Sequence, residues 1–501
     1  MKRKLPIVVH ALLLALLVAA EAWTGYCIVR LQMLTPVLTA ALIACLVLIA
    51  AGVSLMLFMP GRHKKNPQAR KITAYILLGL ILVGCGFAIK ASTEFYHTMG
   101  QITKPDDVVP VRSIYVMADD PAQTIQDAAK YTFGIVSGYD ESCTQQVLQA
   151  LETELDTTLQ IKSYQSVQEL IEGLYANQVG AIIFNGGYLS ILEDECEFDT
   201  FTEKTRVLYS VPVQEEGSES LDSVQVKKIP NVTNTPFIMY LSGLDTRSTA
   251  LNVSRSDVNI LMVVNPLTKQ ILMINTPRDY YVVHPYSSGA RDKLTHCGIY
   301  GIDCSVQALE NLYGIDVSGY AQINFTGFEK LIDAVGGVTV YSDRAFTSAE
   351  GTYVQVGENQ MNGKAALGFA RDRYHQAAGD NDRGKNQMKV IEAVIDKVAS
   401  GATLISNYSE ILSSLEGMFV TSITMDDIGK LVRMQLSDMA QWDIHTFAVT
   451  GFGDTKTTYS MPGTGAYVMH PDQKSVDYAS QLMQRVLDGQ TLKEEDLQLP
   501  Q

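Results

Sequence analysis

Three apolar runs in the first ninety positions, roughly Leu5 to Val29, Leu34 to Met59 and Ile72 to Ala91, constrain this chain more than anything that follows them. Each has about the twenty residues that carry a helix across a bilayer. A secretory signal would be one shorter run with a cleavage site, so the pattern predicts three transmembrane helices. Their basic flanks orient them. "MKRK" precedes the first run and "GRHKKNPQARK" separates the second from the third, whereas Arg30 alone sits between the first and second. The positive-inside rule then places the amino terminus and the second loop in the cytoplasm and everything after about Ser92 outside the cell. Glu21 and Lys90 lie near helix ends, where long side chains reach the interface.

A chain of 501 residues is too long for one ordinary domain. With 39 basic and 54 acidic residues its formal net charge is -15, which would repel nucleic acid as a partner. Of the 7 cysteines, Cys27, Cys45 and Cys85 fall in the apolar runs, and Cys143, Cys196, Cys297 and Cys304 fall after them. That even number permits two disulfides in an oxidising compartment. A Cys297–Cys304 pair and free thiols both remain open, and no cysteine spacing matches a zinc motif.

The exterior portion reads as two domains. From about Val111 to Val213, "YTFGIVSG", "TTLQIKSY" and "GAIIFNG" have strand character, while "SCTQQVLQALETEL" and "SVQELIEGLYA" have helical periodicity, with Val147, Leu148, Leu151 and Leu155 on one face. This predicts a small α/β accessory domain within 92–235, ending in a polar connection over 211–236. It contains no GxGxxG, P-loop or catalytic cluster. From Pro236 the strands become continuously apolar: "PFIMYLSG", then "VNILMVVNP" and "KQILMINTP", a hairpin turning at Asn265-Pro266. Such strands belong to a sheet covered on both faces. Helical periods in "DCSVQALENLYG" and "FTGFEKLIDAVGG" complete an α/β sandwich on a mixed sheet over 236–490, with "WDIHTFAV" as a late strand and 491–501 as a tail.

Charged residues collect at the ends of those strands. Asp245 follows the first, Arg255 and Asp257 precede the second, Arg278 and Asp279 follow the third, and Lys293 lies in the next loop. The stretch "ARDRYHQAAGDNDRGKNQ" adds Arg371, Arg373 and Arg383, with Gln387 a helical turn further on. Strand ends are where open α/β sheets gather ligand residues. Arginine forks hold phosphate oxygens bidentately at any working pH. Arg255, Arg278, Arg371, Arg373 and Arg383 would repel one another if they converged without anions, because one unit-charge contact at 4 Å amounts to roughly 4 kcal/mol at an effective dielectric near 20. A diphosphate with a divalent metal and nearby carboxylates resolves that repulsion, and Asp245 and Asp257 are suitable hard-oxygen ligands for Mg²⁺. The helix in "NQMKVIEAVIDKVAS", starting near Asp382, would bring Arg383 into its first turn and offer an anion site of its own.

In order from 243 to 387, "GLDTR", "SRSDVNILMVVNP", "INTPRD", "DKLTH", "GFEKLIDAVGGV", "MNGKAALGFARDRY" and "GDNDRGKNQ" resemble the LytR-CpsA-Psr (LCP) proteins of Gram-positive cell envelopes. Three spans ahead of an accessory domain resemble the capsule-type CpsA branch. The resemblance implies a phosphotransferase that moves a glycopolymer, capsular or another wall polysaccharide, from an undecaprenyl-diphosphate carrier to peptidoglycan. It also implies Mg²⁺ or Mn²⁺ as cofactor and an apolar tunnel for the lipid. By that resemblance Asp245 and Asp257 are the metal-associated acids. Arg255, Arg278, Lys293, Arg371, Arg373, Arg383 and Gln387 are the diphosphate clamp, Arg278, Arg371 and Arg373 are also catalytic, and Asp380 is a candidate to help deprotonate the attacking sugar hydroxyl. Polysaccharide-assembly proteins are a further class of partner. Three other readings compete: a polyprenyl-diphosphate phosphatase, a non-catalytic module that senses the carrier, and an envelope sensor or transcriptional attenuator. Cytoplasmic loops of about a dozen residues are too short for a DNA-binding helix-turn-helix.

Overall fold

A computed structural model describes residues 4–31, 36–58, 67–103, 111–137, 140–189, 192, 198, 200–213, 229–246, 254–348, 350–372, 380–400, 411, 414–461, 463 and 465–500. The three apolar runs form helices α1 (Lys4–Leu31), α2 (Pro36–Phe58) and α3 (Pro67–Thr103). All three are long and apolar enough to cross a membrane. Helix α3 does not stop where its apolar run ends near Ala91. Its 37 residues rise about 55 Å, well beyond a hydrocarbon core of about 30 Å. The excess is amphipathic: Phe95, Met99 and Ile102 are buried against Leu415 and pack on Ile323, Leu331 and Phe419. The expected boundary after residue 91 is thus corrected, because α3 is shared between the membrane anchor and the large domain.

The small domain is a five-stranded sheet of β1 (Val111–Met117), β2 (Thr132–Val136), β3 (Gln160–Tyr164), β4 (Ala181–Phe184) and β5 (Thr205–Pro212). Their spatial order is β3-β2-β4-β1-β5, with parallel pairing around β2 and antiparallel pairing around β1. Helix α4 (Glu141–Leu155) covers one face through Val147 and Leu151, and α5 (Val167–Tyr175) covers the other through Leu170 and Ile171.

The large domain is built on β6 (Phe237–Leu244), β7 (Ser256–Asn265), β8 (Gln270–Asn275), β11 (Gly319–Asn324), β12 (Phe419–Thr421) and β13 (Asp443–Ala448), with β9 (Tyr281–Val283) and β10 (Arg291–Lys293) as a separate ribbon. The sheet order is β12-β11-β6-β7-β8-β13; β11/β6 and β8/β13 are parallel and the remaining pairs antiparallel. The expected β7–β8 hairpin is present, and its turn is held by Asn265, whose Oδ1 accepts from the backbone N–H groups of Leu267 and Thr268 at 3.0 and 3.2 Å. Continuous apolar strands have the predicted consequence. On β6 and β8, Phe237, Met239, Ile271 and Met273 face one helical layer, and Ile238, Tyr240, Leu272 and Ile274 face the other.

Helices α6 (Ile302–Tyr313) and α11 (Gln473–Leu487) make the layer that also meets the α5 side of the small domain. The opposite layer holds α7 (Phe325–Ala334), α8 (Gly363–Arg371), α9 (Asp380–Ala399) and α10 (Met425–Asp438). In the carboxy-terminal segment Leu492 is buried, its backbone N–H donates to Gln270 Oε1, and Asp496 pairs with Arg485 at 2.9 Å. Cys297 and Cys304 are free thiols, as is Cys143, while Cys196 lies outside the described residues.

Gly384 is where α9 is pressed onto the sheet. A Cβ there would stand 2.0 Å from the Asn275 side-chain nitrogen at the end of β8. Gly384→Ala is therefore expected to lower stability by roughly 1–3 kcal/mol and to shift Arg383 and Gln387. Thermal unfolding and activity measured together check this, and an unchanged melting temperature would show that α9 sits less tightly.

Candidate functional site

The antiparallel order brings the end of β6, the start of β7 and the end of β8 to one edge of the sheet. At that edge the β6–β7 register slips: Gly243 pairs with Val258 and Leu244 with Ser256, leaving Asp257 as the extra residue of a bulge. Bulges re-aim side chains, and this one turns Asp257 toward the side chains gathered at the edge. Asp257 Oδ2 accepts from Arg278 Nη1 at 2.7 Å, and Arg383 Nη1 lies 4.0 Å from the same oxygen. Its Oδ1 accepts from the Thr295 hydroxyl at 3.1 Å. Burial alone would push this carboxyl up, but the charges of Arg278, Arg255 and Arg383 outweigh it and hold Asp257 well below the usual carboxylate range. Asp245, one residue past β6, pairs with Arg255 Nη2 at 2.5 Å.

Asp245, Asp257, Arg278 and Arg383 border a cavity of about 380 Å³ between the sheet edge and helices α7, α8 and α9. Its polar end carries Asp245, Asp257, Arg278, Arg371, Arg383 and Gln387. Arg371 ends α8; its guanidinium lies 4.4 Å from the centre of the Phe325 ring and 3.2 Å from Glu350 Oε1. Arg383 is in the first turn of α9 and Gln387 follows a turn later, so the amino terminus of that helix faces the same space. The deep end is apolar, walled by Phe328 and Leu331 of α7, Ile391, Val394 and Ile395 of α9, and Ile323 and Phe419. Ile323, Leu331 and Phe419 are also the residues on which the end of α3 packs.

Not every expected clamp residue reaches the cavity. Arg255 is fully buried behind it, and Lys293, on β10, is buried with its ammonium 3.5 Å from Asp279. Neither is among the described residues that border the cavity; Arg255 pairs with Asp245 and Lys293 with Asp279. Arg373 lies outside the described residues; Asp380 opens α9, but its side chain lies outside them as well. Sequence reasoning missed Glu350 and Asp372, both on the cavity wall. Asp372 was hidden between two arginines, and Glu350 gave no signal beyond a lone acid before a glycine.

The arrangement defines a class: a protein with three membrane-type helices whose α/β domain joins an arginine- and carboxylate-lined edge to an apolar cavity. The chain belongs to the LytR_cpsA_psr family, whose profile matches residues 207–484. It is similar to the polyisoprenyl-teichoic acid–peptidoglycan teichoic acid transferase TagU of Enterococcus faecalis, 33% identical over 226 residues that make up 45% of this chain and 74% of the relative. The protein of the same name from Oceanobacillus iheyensis is 35% identical over 222 residues, 43% of this chain and 67% of the relative. Among solved structures, B. subtilis TagV aligns with 52% of this chain and 99% of its own at 26% identity, with a TM-score of 0.43.

Because its folded pKa is depressed, Asp257 stabilises the fold above the ordinary carboxylate range, and that contribution fades as the pH falls through its folded value. The stability gap between wild type and Asp257→Asn is expected to stay constant from neutrality down to about pH 5 and to shrink below about pH 4. Thermal unfolding across pH checks it; a gap that widens on acidification would contradict the arginine pairing.

Proposed function

We propose that this protein is a membrane-anchored phosphotransferase that moves a wall glycopolymer from a polyprenyl-diphosphate carrier, undecaprenyl diphosphate, to peptidoglycan outside the cell. The observation that carries the reading is the cavity itself, lined at one end by arginines interleaved with carboxylates, apolar along its length, and bounded where α3 arrives from the apolar helices. A diphosphate bearing a long hydrocarbon chain matches both ends at once. Relatives of the chain are named for teichoic acid transfer from a polyisoprenyl carrier to peptidoglycan. Capsular polysaccharide is an alternative cargo for the same site.

In this reading Arg278, Arg371 and Arg383, with Arg373, hold the diphosphate oxygens and neutralise the charge that grows on them in the transition state. A hydroxyl oxygen of the peptidoglycan sugar attacks the phosphorus next to the glycan, and the bond from that phosphorus to the bridging oxygen breaks. The glycan phosphate becomes a phosphodiester on the acceptor, and polyprenyl monophosphate leaves with the bridging oxygen. The hydroxyl proton passes to a carboxylate at the cavity; Asp380 is one candidate, and Glu350 and Asp372 border the same space. Asp257 and Asp245 hold the arginines at fixed positions, so little reorganisation accompanies the reaction.

The donor set also fits a divalent cation. Asp245 and Asp257 border one cavity, and Asp257 stays ionised at any working pH, which suits Mg²⁺ or Mn²⁺ with phosphate oxygens completing the sphere. Bound there, the cation would supply charge neutralisation at the diphosphate. We place the three helices in the cell membrane with the amino terminus cytoplasmic and both α/β domains outside, as the basic flanks require.

The test is reconstitution of the full chain in vesicles with a labelled polyprenyl-diphosphate oligosaccharide and peptidoglycan fragments. Label joined to peptidoglycan through a phosphodiester is expected, falling on the order of 10²-fold in Arg371→Ala and markedly in Arg371→Lys. Lys456→Arg, on an exposed hairpin, should leave the rate unchanged. Free phosphorylated glycan as the sole product would instead make the protein a phosphatase.

A further inference from the structure

Outside the cavity, three residues with soft or borderline donor atoms meet in the core of the large domain. His284 follows β9, Cys297 ends a short helical turn (Leu294–Cys297), and Cys304 lies in the first turn of α6. Gly301, at φ 97°, reverses the chain between the two cysteines so that both side chains turn toward the histidine. All three residues are fully buried, and their donor atoms lie within 4.8 Å of one another. His284 Nε2 stands 3.6 Å from Cys304 Sγ. The three donors are 7 and 13 positions apart along the chain, which is why no short motif announced them.

We propose that His284, Cys297 and Cys304 form a Zn²⁺ site with three protein ligands, its fourth position left to a water molecule. Zinc bonds of about 2.3 Å to sulfur and about 2.0 Å to nitrogen in tetrahedral geometry place neighbouring donors about 3.6–3.8 Å apart. The His284–Cys304 separation already has that value, and small rotamer adjustments bring in Cys297. The choice of metal follows from charge. Two thiolates and an imidazole leave two negative charges in a buried site, and a dication cancels both, whereas a cuprous ion would leave one uncompensated. The rings of Tyr300 and Tyr459, each 4.5 Å from the imidazole centre to centre, flank the site.

The location gives the metal a purpose. The Tyr300 hydroxyl is 2.5 Å from that of Tyr188 in the small domain, so the ring that walls the site also forms the seam between the two domains. Zinc would fix the turn carrying Tyr300 and thereby the placement of the accessory domain on the catalytic one. This inference is independent of the transfer reaction, since none of the three residues borders the catalytic cavity.

The test uses the full chain, expressed with zinc and purified anaerobically without chelators, with metal content measured by mass spectrometry. The expected result is about one zinc per chain in wild type and in the buried-thiol control Cys143→Ser, and loss of most of it in Cys304→Ser. Cobalt added to the zinc-stripped wild type should show thiolate-to-cobalt charge-transfer absorption, a readout that does not depend on any variant folding. Wild-type protein without bound zinc and without that absorption, its two thiols either titrating freely or joined as a disulfide by mass, would overturn the proposal.

Discussion

The pairing of Asp257 with Arg278 is the contact on which the rest of the site depends. It draws together a bulge on β7, the residues after β8 and, through Arg383 at 4.0 Å, the first turn of α9. Cations held this close in a partly buried edge would repel one another, and a carboxylate taken out of water would protonate. The neighbouring arginines keep the carboxylate charged, which is why Asp257 lies well below its ordinary range although it is largely buried. Arg255 and Asp245 repeat the device one strand away. The result is a set of arginines fixed in place by carboxylates before any ligand arrives.

That charged edge has chemical meaning because of what lies behind it. The walls of α7 and α9 extend the site into a hydrocarbon-lined space, and α3 closes its far end by packing on Ile323, Leu331 and Phe419. A helix that leaves the membrane and continues unbroken into the catalytic domain fixes the distance between bilayer and cavity. In the proposed reading, an amphiphilic donor confined to the bilayer would meet the site at high effective concentration, and its head group alone would have to leave the lipid surface.

Much of this was legible in the sequence, and the parts that were not share physical causes. Continuous apolar strands at 237–244, 256–265 and 270–275 announced a sheet buried on both faces, and Asn265 announced the hairpin between two of them. The periodic residues Phe328 and Leu331, and Ile391, Val394 and Ile395, read as ordinary core. They are the cavity wall, and periodicity cannot distinguish an apolar face that meets protein from one that meets a ligand. The arginines of the edge were visible as a cluster, but the division between Arg278, at the cavity, and Arg255, behind it, depends on a one-residue bulge that no composition reveals. Glu350 and His284 reach their partners only through tertiary folding, and each looked like a single polar residue in a loop.

The account stands or falls on one ligand engaging both ends of the cavity. The direct measurement is a binding titration of the full chain in nanodiscs with three probes: a polyprenyl diphosphate, the corresponding polyprenol, and inorganic diphosphate. The lipid diphosphate is expected to bind at least about 10²-fold more tightly than either fragment, a difference of roughly 3 kcal/mol, and to lose that advantage in Arg278→Ala. Polyprenol binding as tightly as its diphosphate, or the advantage surviving intact in Arg278→Ala, would contradict the account.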